Sequence, residues 1–146
     1  MKKVAILGKL ETKFKAPFDD NTWDIWGFNW HKRMPKRYSL WFDIHARGVN
    51  PIADITRETF PFKECEELVG GQFFNNTVSY LIAYAILKGY KEIALYGVRF
   101  LRDSDEQRGG QYKNVRELLF FAKGKGVKVS APYDTIMLKE YPLYGV

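Results

Sequence analysis

The chain predicts an α/β fold with a mostly parallel sheet of about five strands. Three observations lead there: a helix-to-strand succession over residues 76–98, a second over residues 112–129, and short apolar segments near the amino terminus. In the first succession Val78, Leu81, Ile82, Ala85 and Ile86 recur at helical spacing and form one apolar stripe. Asn75 or Asn76 can cap its start, and Gly89 stands where a helix ends in the left-handed conformation. Lys91 to Leu95 then forms a buried strand running into Tyr96-Gly97, where glycine lets a ligand approach the backbone. A helix feeding a strand this tightly is half of a βαβ unit, and such sheets bind ligands outside the carboxyl ends of their strands.

In chain order, Lys3 to Leu7 is a strand whose softened alternation fits burial on both faces. Residues 8–21 are irregular, with Pro17 and Asp19-Asp20. Trp23 to Phe28 forms a second strand ending at Asn29. Tyr38 to His45 has the aromatic and β-branched content of a third. Gly48, Asn50 and Pro51 make residues 47–57 a loop with a helical turn. Phe62 to Val69 is a short helix closed by Gly70-Gly71. A polar glycine-bearing loop, residues 102–111, precedes a helix over Tyr112 to Lys123, with Val115, Leu118, Leu119 and Ala122 on one face. Gly124 or Gly126 stops it, and Val127 to Val129 is the last strand. Residues 135–146 read as a helical turn and a packed extension. Together these elements predict one Rossmann-like domain over residues 1–146, a three-layer sandwich whose first half lacks clear helices between its strands.

Composition narrows the classes. A 146-residue chain with 46% hydrophobic and 16% aromatic residues is globular and sized for one domain. Its longest apolar stretch, Leu81 to Leu87, is too short to cross a bilayer. The four apolar residues after Lys2-Lys3 are too few for a secretory signal, so a soluble cytoplasmic protein is expected. A lone Cys65 permits no internal disulfide and no thiolate metal site by itself; packing is the bland reading and nucleophile the sharp one.

The net charge of +6 concentrates in Lys2 to Lys15 and His31 to Arg37, either solvated loops or a surface for phosphate-bearing partners. Gly8-Lys9-Leu10-Glu11 lacks the three glycines of a dinucleotide turn. There is no phosphate-loop motif, no nucleophile elbow, and no histidine or cysteine set with metal-ligand spacing, so no metal or cofactor is implied.

The segment from Ser79 to Phe100, with Gly89-Tyr90-Lys91-Glu92-Ile93 and Leu95-Tyr96-Gly97-Val98-Arg99-Phe100, resembles part of the bacterial family 42 sialyltransferases. It is similar too to the pterin pyrophosphokinase-like proteins of the domain-of-unknown-function 115 group, where a helix leads into such a segment at the edge of a nucleotide pocket. Over nearly the whole chain, Ala16-Pro17-Phe18-Asp19-Asp20, Trp23-Asp24-Ile25-Trp26-Gly27, Trp41-Phe42-Asp43-Ile44-His45, Gln107-Arg108 with Tyr112, and Leu143-Tyr144-Gly145 resemble a small uncharacterised family of tailed phages. That resemblance implies a phage origin and a Rossmann-like fold. Two departures stand out. Arg99 occupies a position where these families carry aspartate, and no histidine follows His45, whereas the sialyltransferases use a late histidine base. Sialyl transfer by that mechanism is therefore not implied.

For chemistry, Asp43 and His45 stand two apart on a strand, so their side chains lean to one face. They form either a general acid–base pair or a structural histidine at a strand end. Asn75, Asn76, Thr77 and Ser79 start a helix, where free N–H groups and hydroxyls can hold a phosphate or ribose, or simply cap. Gly8, Asn29, Gly97 and Arg99 follow strand ends, and Gln107, Arg108 and Tyr112 follow the fourth strand. Arg108 could grip a phosphate with two donors. Of Trp23, Trp26, Trp30 and Trp41, any could stack on a base, though a core role suits most of them.

These features lead to a nucleotide- or nucleotide-sugar-binding protein, a transferase or hydrolase acting at a phosphate or glycosidic bond. The alternative is a non-enzymatic binder that sequesters a host nucleotide signal or contacts a host or virion protein. Nucleic-acid binding through Lys32 to Arg37 ranks last, since no recognition helix or aromatic strand platform accompanies the charge.

Overall fold

The computed structural model describes residues 1–100 and 110–145. Six strands form one sheet: β1 (Lys3–Leu7), β2 (Trp23–Phe28), β3 (Leu40–Asp43), β4 (Ile55–Thr56), β5 (Glu92–Tyr96) and β6 (Lys128–Ser130). Their order is β4-β3-β2-β1-β5-β6 and every pairing is parallel. The α/β class and the parallel sheet thus hold, with six strands where about five were expected. Among the described residues three α-helices accompany them: α1 (Phe62–Val69), α2 (Thr77–Leu87) and α3 (Gln111–Gly124).

The order of strands explains where the helices lie. From β1 the chain steps outward to β4, then crosses back over the sheet to β5 and β6. With right-handed crossovers throughout, the outward connections occupy one face and the return connections the other. All three helices belong to the return half, and they pack together against one face of the sheet. That core joins Val4, Ile6, Trp26, Phe42, Ile93 and Leu95 to Cys65, Leu81, Ile82, Ala85, Val115, Leu118 and Leu119. The opposite face, with Ala5, Leu7 and Ile25, is covered by Ala16, Phe18 and Trp23 and by a 3-10 turn at Glu11–Lys15. One outer layer is therefore helical and the other is made of a short turn and loops.

Local chemistry sets the boundaries. Asn76 caps α2, its side chain accepting the Ser79 N–H at 3.1 Å, and Gly70 and Gly89 close α1 and α2 at φ of 89° and 82°. β3 is shorter than the expected Tyr38–His45 because the Asp43 carboxylate accepts the backbone N–H groups of His45 and Asn50, turning the chain out of the sheet. The segment expected as loop and helical turn instead ends in β4, two residues paired with Phe42 and Asp43. The packed extension at the carboxyl terminus is not found. Met137 is buried, held beneath Arg116, but Tyr141, Leu143 and Tyr144 stand in solvent. None of the described helices is long and apolar enough to cross a membrane.

The basic runs are largely internal fittings. Arg37 donates to the carbonyls of Phe18, Asp20 and Trp23, knitting the outer loop together. Arg33 pairs with Glu11 and Lys36 with Asp19, both exposed pairs of small energetic value. Lys13 is buried and donates to His31 Nδ1 at 3.1 Å and to the Arg33 carbonyl. Of the two readings of these runs, neither holds throughout: Lys13 and Arg37 serve the fold, Arg33 and Lys36 make exposed pairs, and Lys9 and His31 line the cleft described below.

Gly27 is required by packing: a Cβ there would lie 2.1 Å from the Trp41 ring, which is fully buried. Gly27→Ala is expected to destabilise the fold by about 1–3 kcal/mol, read as a lower denaturant midpoint at unchanged slope. An unchanged midpoint would show that Trp41 has room to move.

Candidate functional site

Strand direction in a parallel sheet brings all carboxyl ends to one side, and the reversal of order at β1 opens a gap between neighbouring connections there. The residues immediately after β1, β2, β3 and β5 are Gly8, Asn29, Ile44 and Gly97, and all four line a two-lobed cleft. One lobe, about 660 Å³, lies over β1 and β5 and is walled by Gly8, Lys9, Trp30, His31, Gly97 and Arg99. The other, about 420 Å³, lies over β3 and the start of α2, with His45, Arg57, Asn75, Asn76, Thr77 and Gln111. Phe28, Asn29, Val78 and Phe100 belong to both lobes and form the waist between them.

Asn29 is held in the left-handed conformation, φ 62°, the only described non-glycine residue with positive φ. Its N–H bonds the Phe42 carbonyl at 2.8 Å, and its own carbonyl accepts Trp41 Nε1 at 2.8 Å and Asn50 Nδ2 at 3.1 Å. The backbone is thus over-determined, while the side-chain Oδ1 is buried at the waist without a hydrogen-bond partner among the described residues. A strained residue fixed from three sides, carrying an unsatisfied polar atom at a cleft, has the character of a ligand contact.

His45 lies past the end of β3, so the pairing with Asp43 does not come from strand alternation. The turn supplies it: Asp43 Oδ1 accepts the His45 backbone N–H at 3.2 Å and meets Nδ1 at 2.8 Å. Asp43 Oδ2 accepts the Asn50 N–H at 2.9 Å. Asp43 is fully buried, whereas the His45 side chain is 55% exposed. The carboxylate therefore cannot touch a ligand but fixes the imidazole as the Nδ1–H tautomer, leaving the Nε2 lone pair for the cleft.

His31 behaves differently. Burial, then the Lys13 ammonium, push its pKa down to about 4, against a weaker opposite pull from the Phe28 backbone. Since Lys13 donates to Nδ1, His31 is neutral with its proton on Nε2. Lys13 is itself lowered, chiefly by burial, with Glu11 opposing and Arg33 adding.

Gly8 and Gly97 shape the larger lobe, but their N–H groups are occupied. Gly8 donates to the Tyr96 carbonyl at 2.8 Å and Gly97 to Thr12 Oγ1 at 3.0 Å. Lys9 and Arg99 are exposed at that lobe, and Trp30 is 58% exposed, its Nε1 anchored on the Gly48 carbonyl at 2.7 Å. Trp26 and Trp41 are core and Trp23 packs on the outer face, so Trp30 alone of the four reaches the cleft.

Asn75, Asn76 and Thr77 line the smaller lobe as expected. Ser79 does not: it is fully buried, its hydroxyl accepting Asn76 Nδ2 at 3.0 Å. Tyr112 packs against the main core and lines neither lobe. Gln107 and Arg108 lie outside the described residues. Lys9, Arg57, Gln111 and His31 join the lining without having been singled out, and only Lys9, one residue past a strand-ending glycine, carried a local signal. Asn114, buried on α3, was missed as well. It donates to the Phe73 carbonyl at 2.9 Å and its Oδ1 receives Asn75 N–H and Asn76 Nδ2, positioning the start of α2.

No family model matches the chain, and no curated protein matches it. Among solved structures it is similar to a single-substitution variant of the sialyltransferase CST-II in complex with CMP. The identity is 16% and the TM-score 0.47, over 90% of this chain and 81% of that one. A likeness of this degree bears on neither reaction nor ligand, and the site rests on its own geometry.

The two histidines make a direct check possible by imidazole NMR. His31 takes a proton near pH 6.5 when unfolded but only near 4 in the fold, so the unfolded chain binds more protons between these values. Stability from this residue is complete above pH 6.5 and is lost as the pH falls towards 4. We expect the His31 ring to remain neutral at pH 5.5 and an asparagine variant to flatten this part of the stability profile; a ring already protonated at that pH would contradict the Lys13–His31 arrangement.

Proposed function

We propose that the protein binds a nucleotide or nucleotide sugar in this cleft and acts as a transferase or hydrolase at a phosphate or glycosidic bond. One observation carries the reading: among the described residues, the cleft lining contains Lys9, Arg57 and Arg99 and not a single Asp or Glu. Unbalanced positive charge inside a concave, partly apolar site favours an anionic ligand. The motifs that resemble nucleotide-pocket segments supply the class of anion, and on the phage resemblance the setting is the cytoplasm of an infected host.

In this reading the base lies against Trp30, whose exposed indole is a fixed aromatic wall beside Lys9 and Arg99. The nucleotide phosphate sits between those two cations, over the glycines at the ends of β1 and β5. Asn29 holds an oxygen or amide of the ligand at the waist. His45 Nε2 removes the proton of an attacking hydroxyl, from water or an acceptor, as that oxygen bonds to the phosphorus or anomeric carbon. The bond to the departing nucleotide phosphate breaks with its electron pair going to the phosphate oxygen, where Lys9 and Arg99 stabilise the charge. Asp43, out of reach of substrate, holds the ring in the tautomer this requires.

Thermal-shift screening against nucleotides and nucleotide sugars at millimolar concentration tests binding: a raised midpoint with at least one is expected, and no shift with any contradicts the proposal. With a binder in hand, His45→Ala is expected to lower turnover on the order of a hundredfold or more while leaving affinity within a few-fold. Unchanged function in that variant would instead favour a binder that sequesters its ligand without turnover.

A further inference from the structure

We infer that the lobe over β3 and α2 is a second oxyanion subsite, in which Arg57 receives the carboxylate or phosphate of a second reactant. The inference rests on the nucleotide reading for the first lobe and adds the chemical class of the partner that meets it. Its basis is the distribution of charge across the waist. Lys9 and Arg99 line only the β1–β5 lobe, and Arg57 lines only the other. Between them stand three apolar residues, Phe28, Val78 and Phe100, with Asn29 as the single polar group. One anion held at Lys9 and Arg99 therefore does not account for Arg57.

The guanidinium is set for recognition. It lies over the Phe62 ring at 5.0 Å, and Nη1 donates to the Ile44 carbonyl at 3.3 Å. Those contacts leave several of its five N–H donors unused. Among the described residues no carboxylate pairs with it, and none lines the lobe. An exposed guanidinium fork that no carboxylate engages directly among the described residues matches a planar or tetrahedral oxyanion and can bind it through two parallel hydrogen bonds. Thr77 and Asn75 line the same lobe at the start of α2, where the helix end favours negative charge.

His45 shares this lobe with Arg57. A second reactant anchored by its anionic group on Arg57 would present a neighbouring hydroxyl to Nε2, while its electrophilic partner reaches the waist from the other side. Two anions that repel in water are thereby held together by separate cations. The reaction then joins two negatively charged reactants, which distinguishes a transferase with an acidic acceptor from a hydrolase.

The test uses the intact chain labelled for NMR, with inorganic phosphate and acetate as separate probes. At least one is expected to shift the Arg57 Nε and His45 imidazole signals saturably, and Arg57→Gln to weaken that response by about tenfold or more. Responses at Lys9 and Arg99 should survive in the variant. Acetate acting alone assigns a carboxylate, phosphate alone a phosphate. If both probes perturb only the Lys9–Arg99 lobe, or if His45 responds equally in Arg57→Gln, the second subsite is overturned. Arg57 is exposed, so the variant should fold; an unaltered denaturation midpoint confirms it. Loss of this subsite with nucleotide binding intact at Trp30 leaves the first reading standing, whereas failure of nucleotides to perturb Trp30 strikes that reading separately.

Discussion

The whole cleft depends on how closely two glycines touch. Gly8 and Gly97 follow the adjacent central strands, and a Cβ on Gly8 would stand 2.2 Å from the Gly97 carbonyl oxygen. Gly97 adopts φ 69°, and a Cβ there would press on the carbonyls of Gly8 and Leu10 and on Lys13. No larger residue fits either position without moving backbone. Because the two loops meet here, Leu10 N–H reaches the Gly97 carbonyl at 3.1 Å and Thr12 reaches the Gly97 N–H. These bonds direct the chain after β1 down the far face of the sheet, while the chain after β5 leaves on the other side. The lobe beneath Lys9 and Arg99 is the space between those departures.

A second consequence follows from the one-handed winding. With every described α-helix on the return face, the outward connections cover the opposite face using short turns, which pack Ala16 and Phe18 against it and are braced by charged side chains rather than by a helical stripe. Lys13, Arg33 and Arg37 spend their donors on carbonyls, a carboxylate and His31. Burial, with the Lys13 ammonium adding to it, keeps His31 neutral at the cleft wall, so among the described residues the positive charge of the larger lobe comes from Lys9 and Arg99. Of the two basic runs, packing takes Lys13, Arg33 and Arg37 and the cleft takes Lys9, while the other cleft cations, Arg57 and Arg99, come from elsewhere in the chain.

The return half of the fold was readable because its signals are local. A helical stripe with Asn76 before it and Gly89 after it leaves little choice over residues 76–96. The outward half was harder. β4 is two residues long and owes its existence to pairing with Phe42 and Asp43, which no local pattern announces. The truncation of β3 is set by the Asp43 carboxylate capturing two backbone N–H groups, one of them seven residues away. In the site, Asp43 and His45 were legible as a pair, though a turn and not strand alternation unites them. Lys13 read as one charge among many, and its burial depends on His31 and Arg33, about twenty residues distant in sequence. Arg57 carried no motif at all; only its position beyond β4 brings it to the lobe. Ser79 shows the reverse error, a hydroxyl at a helix start that turns inward to serve the cap.

The central claim is that an anion occupies the lobe between the glycine-ended strands. Its most direct measurement is a comparison of backbone amide shifts on adding a nucleoside monophosphate and the corresponding nucleoside. The account predicts saturable changes from the monophosphate centred on residues 8–10, 29–31 and 97–100, with the nucleoside binding markedly more weakly. Equal affinity for the two, or changes confined to the outer-face loops, would contradict it.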